Sequence, residues 1–211
     1  MVKIAVPSTL QQSIVHIGIL LVQSVINSFG STAIAGYSAG MRIESLSIVP
    51  MLAMGNAMST FTAQNMGAGK IDRVKEGYRM CYVIVLTAGA VLCVMYQLAG
   101  GAFVSLFLDS GSSEAYSVGL SYVKFLSFFY SFIGLKASTD GLLRGAGDVT
   151  AFTVANLVNL AIRVSVTNLF APIYGIQVAW MAVPLGWAAN YMISFGWYLT
   201  GKWKKVRVIK K

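Results

Sequence analysis

The sequence predicts an all-α membrane protein, a bundle of six transmembrane helices, and three observations lead to that class. Charged residues make up only 11% of the 211 residues and apolar residues 56%, whereas soluble globular chains carry about 25% charged residues. The apolar residues form long segments bounded by glycine, proline or polar turn residues. The loop lysines and arginines fall only in alternate connections between these segments. The segments lie near 4–28, 33–65, 77–99, 115–140, 149–170 and 175–200, followed by a basic tail at 201–211.

Six spans of about 20 residues each account for nearly the whole chain, so a single transmembrane unit over 1–211 is expected. The first segment is too long and too polar for a secretory signal and is predicted to be a membrane helix. Its polar side chains fall within about a third of a helical wheel. They are Thr9, Gln12, Ser13, His16, Gln23, Ser24 and Asn27. Lipid does not tolerate such a stripe, so it faces other helices or a water-filled cavity.

The second segment is longer than a straight span requires and contains Pro50, which predicts a tilted, kinked or extended helix. A second polar stripe runs along it, with Glu44 off the stripe. Its members are Ser38, Arg42, Ser45, Asn56, Ser59 and Thr60. Arg42 and Glu44 are two positions apart and do not face each other, so a partner for Glu44 has to come from another helix.

A third polar face lies on the fifth segment, where Arg163 is one candidate partner for Glu44. Its members are Asn156, Asn159, Arg163 and Thr167. Charges within a membrane indicate a functional site, with a structural ion pair as the alternative. The residues predicted to line a substrate or cation cavity are Gln12, His16, Gln23, Asn27, Arg42, Glu44, Asn56, Asn159 and Arg163.

Three charged residues at the end of the fourth segment, Lys136, Asp140 and Arg144, are spaced four apart and share one helix face. This spacing predicts an ion ladder that holds the bundle and extends toward the headgroups. The alternative is a gate.

Loop charges predict the orientation of the chain. Arg144 follows the fourth segment, and the connection near 70–79 and the tail are also basic, whereas the connections near 30–32, 109–114 and 171–175 carry no lysine or arginine. Under the positive-inside rule, both termini are therefore expected in the cytoplasm, with the chain crossing the plasma (inner) membrane several times.

Several other function classes lack support in the sequence. The net charge of +9 lies in short clusters between apolar segments, which does not favour a nucleic-acid partner. The chain contains one histidine and no recognisable catalytic triad or P-loop, so we expect no enzyme activity and no bound cofactor. Cys81 and Cys93 share one apolar segment and are expected to be buried thiols that bind no metal.

Three sequence runs identify a family resemblance. They are RIESL at 42–46, AQNMGAGK at 63–70 with DRV at 72–74, and GLLRGAGD at 141–148. They resemble the carboxy-terminal lobe of multidrug and toxic compound extrusion (MATE) transporters. Leu10, Gln11 and Gln12 are similar to the start of that lobe's first helix.

The resemblance implies one six-helix lobe of a MATE-type twelve-helix transporter. Such exporters move cationic or amphipathic drugs outward by antiport with protons or sodium ions. The implied partners are membrane lipids and an amino-terminal six-helix lobe or a second copy of this chain. Family members commonly carry the coupling carboxylate in the amino-terminal lobe, whereas Glu44 lies in the other one.

Two alternatives to drug export remain open. One is a lipid-linked oligosaccharide flippase of the same superfamily, which requires a larger and more basic cavity than Arg42, Lys136 and Arg163 provide. The other is a non-transporting membrane scaffold or a decayed fragment.

Overall fold

The computed structural model describes residues 17–109 and 113–205, and all regular secondary structure within them is helical. This confirms the predicted all-α class. The described part of α1 is Ile17–Asn27. The other helices are α2 (Ser31–Gly67), α3 (Ile71–Ser105), α4 (Ser113–Ser127), α5 (Tyr130–Gly145), α6 (Val149–Tyr174) and α7 (Gln177–Leu199), with a final 3-10 turn at Lys202–Lys205.

Several of these helices are suited to crossing a membrane. α2, α3 and α6 are each long and apolar enough to span it alone, and α4 with α5 forms a fourth candidate bent by 53°. Large apolar side chains such as Leu98, which is 84% exposed, point outward. The outward apolar side chains fit multi-pass insertion, and the number of six spans stays a prediction.

The fourth predicted segment differs from the structure in one respect. We predicted one continuous helix over 115–140, whereas the chain bends between α4 and α5 and stays helical to Gly145. At the bend, Gln97 of α3 donates to the Lys124 carbonyl oxygen (2.8 Å) and to the Ser127 hydroxyl (2.8 Å). A side chain from another helix thus supplies a hydrogen bond at the break, as an apolar environment demands.

α2 and α3 are longer than a single span needs. α2 has 37 residues and continues through Pro50, which has no N–H to offer the helix. α3 has 35 residues and extends beyond the predicted 77–99 at both ends. Both exceed the roughly 20 residues that cross a bilayer. Both helices are therefore longer than one straight span, and the tilt, kink or extension of the second beyond the membrane stays a prediction.

A Gly-Ala-Gly sequence ends α2 and recurs at the end of α5. In both, the last glycine has a left-handed backbone, with φ of 71° at Gly69 and 82° at Gly147. The turn after α5 leads directly to Asp148, whose carboxylate accepts from the Ala151 amide (3.5 Å) and from the Trp197 indole (2.6 Å). The end of α5 is therefore fixed against both α6 and α7.

Glycines allow α2 and α5 to cross closely near the centre of the bundle. A Cβ on Gly141 would overlap the Gly55 carbonyl oxygen, and one on Gly55 would lie 2.6 Å from the Ala137 carbonyl oxygen. α2 also packs on α4, whereas α6 packs mainly on α7. Small residues thus bring the α2 and α5 backbones together, and α2 and α6 face each other across a cleft.

We predict that Gly141→Ala destabilises the bundle by about 1–3 kcal/mol, because the added methyl group forces the α2 and α5 backbones apart. Thermal unfolding of the purified chain in detergent measures this. Gly196→Ala in α7 is the matched control, since its Cβ would meet open space. Equal unfolding midpoints for the two variants would contradict the close α2–α5 crossing.

Candidate functional site

The polar side chains of α2 and α6 converge on the cleft between these helices, which we call the α2–α6 cleft. It contains a cavity of about 210 Å³ around Glu44 and one of about 180 Å³ around Arg144. Asn156 of α6 lines both. α1 contributes to the Glu44 cavity and α5 to the Arg144 cavity. The two cavities thus form adjacent parts of one cleft.

Glu44 lies on the wall of the first cavity and is only 8% exposed. The Tyr122 hydroxyl of α4 donates a hydrogen bond to its carboxylate. Tyr122 is itself held edge-on between Tyr37 (5.2 Å between ring centroids) and Trp180 (5.7 Å). A rigid aromatic group therefore fixes the position of the carboxylate.

Arg163 shares the Glu44 cavity but forms no ion pair with the carboxylate within 4 Å. Arg42, which the spacing along α2 placed away from Glu44, is exposed and lies over the Phe107 ring at 5.9 Å. Arg42 is absent from the lining of both cavities. Within the described part of the chain, Glu44 is thus held by a neutral donor, and the predicted pair with Arg163 is not formed.

The other predicted cavity residues are only partly brought together. Gln23 and Asn159 line the Glu44 cavity, and Asn56 lines the Arg144 cavity. Asn27 is exposed and accepts from the Gln23 amide at 3.0 Å. Ser24 is exposed, and the other four members of the first polar stripe lie outside the described residues. They are Thr9, Gln12, Ser13 and His16.

The predicted ladder on α5 divides into a buried ion pair and a separate arginine. Lys136 pairs with Asp140 at 3.0 Å, and their side chains are 14% and 6% exposed. Ser194 of α7 also donates to Asp140 (2.6 Å). Arg144 forms no ion pair with Asp140 and instead donates to Asn56 of α2 (2.8 Å). The predicted ladder is therefore replaced by a network between α5 and α7 and by a separate contact from Arg144 to α2.

Sequence reasoning missed several residues of this site. Tyr37 and Tyr122 stand in apolar segments where aromatic residues are ordinary, and nothing in their spacing marks them. Asn190 and Ser194 could have been found, because two polar residues four apart share one face of the otherwise apolar last segment. Asn190 is fully buried, and its amide nitrogen has no hydrogen-bond partner among the described residues.

No group of three or more histidine, cysteine or acidic residues in 17–109 and 113–205 could hold a metal ion. The polar side chains that line the two cavities are carboxylates, amides and a serine hydroxyl together with a lysine, two arginines and a tyrosine.

The MatE family model matches residues 7–169 of this sequence. The chain belongs to the MatE family. The family consists of membrane transporters, and the predicted MATE-type lobe is thereby confirmed.

Among MatE relatives, the probable multidrug resistance protein YpnP of Bacillus subtilis (strain 168) is 28% identical over 98% of this chain and 46% of its own length. The probable multidrug resistance protein NorM of Thermotoga maritima is 21% identical over 99% of this chain and 45% of its own length. The chain thus spans about half the length of these curated relatives.

A solved MATE crystal structure in the straight conformation has the same fold. It superposes with a TM-score of 0.86 over 98% of this chain and 46% of the solved chain, at 16% identity. The chain is therefore a half-length lobe of the MatE fold.

We predict that Tyr122→Phe destabilises this MatE lobe by about 1–3 kcal/mol, because it removes the donor to a buried carboxylate. Tyr37→Phe is the matched control, since Tyr37 is equally buried and shows no hydrogen bond from its hydroxyl group within the described ranges. Thermal unfolding in detergent compares the two. Equal losses in both variants would show that the Tyr122 hydroxyl does not hold Glu44.

Proposed function

We propose that this chain is one lobe of a multidrug exporter that exchanges cationic or amphipathic drugs for protons or sodium ions. Family membership and relatives described as probable multidrug resistance proteins support drug export. The Glu44 cavity supports the exchange and is the observation that carries the proposal.

The environment of Glu44 suits reversible cation binding. Its carboxylate accepts from a neutral hydroxyl and faces a cavity of about 210 Å³. A proton or sodium ion can therefore reach it without first breaking an ion pair. The low exposure of Glu44, 8%, limits solvent screening of its charge.

Arg163 provides a reason for drug and coupling cation to exclude each other. It lies on the same cavity as Glu44 without pairing to it. When Glu44 binds a cation, the cavity gains one positive charge beside Arg163, and a cationic drug is then bound less favourably. When the cation leaves, the free carboxylate attracts the drug.

Exchange requires a second lobe, because substrate cavities of such transporters lie between two repeats that move against each other. The proposed partner is an amino-terminal lobe or a second copy of this chain, with the α2–α6 cleft facing it. We further propose that both termini lie in the cytoplasm, on the basis of the alternating basic connections.

We predict that Glu44→Gln in the assembled two-lobe protein lowers gradient-driven drug efflux about 5–150-fold. This is the change in affinity that typical coupling free energies between two ligands produce. Folding is retained, because glutamine keeps an oxygen that accepts from Tyr122. Dye binding becomes weaker and no longer depends on the coupling cation, because the charge that attracts the drug is gone. The assay measures efflux of a cationic dye from vesicles with an imposed proton or sodium gradient. Dye binding and thermal unfolding are measured in parallel.

Ser45→Ala is the control, since Ser45 lines the same cavity without charge. If Glu44→Gln leaves efflux and its gradient dependence unchanged, Glu44 has no part in coupling. If the variant fails to fold, the carboxylate is structural and the coupling role is rejected.

A further inference from the structure

The Arg144 cavity has an unmatched positive charge. Three charged residues line it: Lys136, Asp140 and Arg144. Lys136 and Asp140 neutralise each other at 3.0 Å. Arg144 has no acidic partner within 4 Å among the described residues. The cavity therefore has a formal charge of +1.

The carboxylate of Asp140 is fully engaged by its neighbours. One oxygen accepts from Ser194 (2.6 Å), and the other accepts from Lys136 (3.0 Å) and from the Asn156 amide (3.4 Å). These three donors come from α5, α6 and α7. They offset the negative charge locally, so Asp140 does not exclude an anion from the cavity.

Two contacts hold the guanidinium of Arg144 at the edge of the cavity. It donates to the Asn56 amide oxygen at 2.8 Å and lies over the Phe152 ring at 5.6 Å. A third contact, to the Ser59 hydroxyl, is long at 3.5 Å. A guanidinium carries five N–H donors in a planar fork that matches the oxygens of phosphate and carboxylate groups. Most of these donors have no protein partner in the described part of the chain.

The cavity has a suitable size for such a group. Its volume of about 180 Å³ is several times the roughly 30 Å³ that one water molecule occupies in the liquid. We propose that the Arg144 cavity binds an oxyanion, a phosphate or carboxylate group, through Arg144 with Lys136 and Asn156 beside it. This binding goes beyond the proposed exchange and does not require it.

The position of Arg144 allows two sources for the oxyanion. Arg144 is the penultimate residue of α5, next to the turn that precedes α6. The basic connections predict that this end lies at the cytoplasmic membrane boundary. There, the oxyanion belongs either to a soluble ion or to a phospholipid headgroup, and both present the same phosphate chemistry.

Asn56→Asp is the decisive variant. It replaces the amide oxygen that accepts from Arg144 with a carboxylate of the same size, which pairs with the guanidinium and cancels its charge. Asn56 is exposed, so the change places little strain on the fold. Gln64→Glu is the matched control, because it makes the same chemical change on an exposed position of α2 away from the cavity lining.

We predict saturable binding of inorganic phosphate to the full chain, measured in nanodiscs of phosphatidylcholine by broadening of the phosphate resonance in phosphorus NMR. Asn56→Asp raises the Kd for phosphate by at least about tenfold, because the introduced carboxylate already pairs with the Arg144 guanidinium. Gln64→Glu leaves the Kd unchanged. Arg144→Gln also weakens binding and serves in place of Asn56→Asp if that variant does not fold.

Adding phosphatidylglycerol to the nanodiscs distinguishes the two sources. A phosphate affinity that falls as this lipid is added assigns the site to headgroups, and an unchanged affinity assigns it to soluble anions. Both results retain the oxyanion site. Absence of saturable phosphate binding to the wild-type chain in phosphatidylcholine, or equal Kd values for Asn56→Asp and Gln64→Glu, would overturn the proposal.

Discussion

Hydrocarbon cannot solvate a polar group, and this constraint determines where the polar side chains of the chain lie. Each unpaired polar group in lipid costs several kcal/mol. In the described helices, large apolar residues point outward, and polar residues lie in the α2–α6 cleft and in the network around Asp140. The buried Lys136–Asp140 pair is tolerated because Ser194 and Asn156 supply further hydrogen bonds.

The close crossing of α2 and α5 gives the cleft its shape. Gly55 and Gly141 bring the two backbones together, which places the charged face of α5 beside the polar face of α2. The bend between α4 and α5 orients α4 so that the Tyr122 hydroxyl contacts the Glu44 carboxylate. Backbone packing and site geometry are thus linked: a larger residue at the crossing would move both the cavity lining and the carboxylate's donor.

Local sequence patterns predicted what depends on local spacing. The helical class, the long second helix and the Lys136–Asp140 pair at i,i+4 all follow from periodicity and helix geometry. The polar faces of α2 and α6 were also recognised. That these two faces meet in one cleft could be seen only in the folded structure.

Contacts between distant residues were not predictable from the sequence. Tyr122 and Glu44 are 78 positions apart, and Arg144 and Asn56 are 88 apart. The bend after Ser127 carries no proline or glycine, and its hydrogen bonds come from Gln97 on another helix. Arg163 shares a cavity with Glu44, as its helix face suggested, yet the hydrogen bond to the carboxylate comes from a tyrosine that no pattern marked.

The proposed exchange requires that water fill the α2–α6 cleft in the membrane-embedded protein. Spin labels on single cysteines at Ser45 and Asn56, both in the cleft, and at Leu98, on the outer apolar face, test it in the assembled two-lobe protein without Cys81 and Cys93. Collisions with a water-soluble nickel chelate should exceed collisions with oxygen in the cleft, and the order should reverse at Leu98. If labels in the cleft collide more often with oxygen than with the nickel chelate, as the label at Leu98 should, lipid fills the cleft and the cleft is not a water-filled surface.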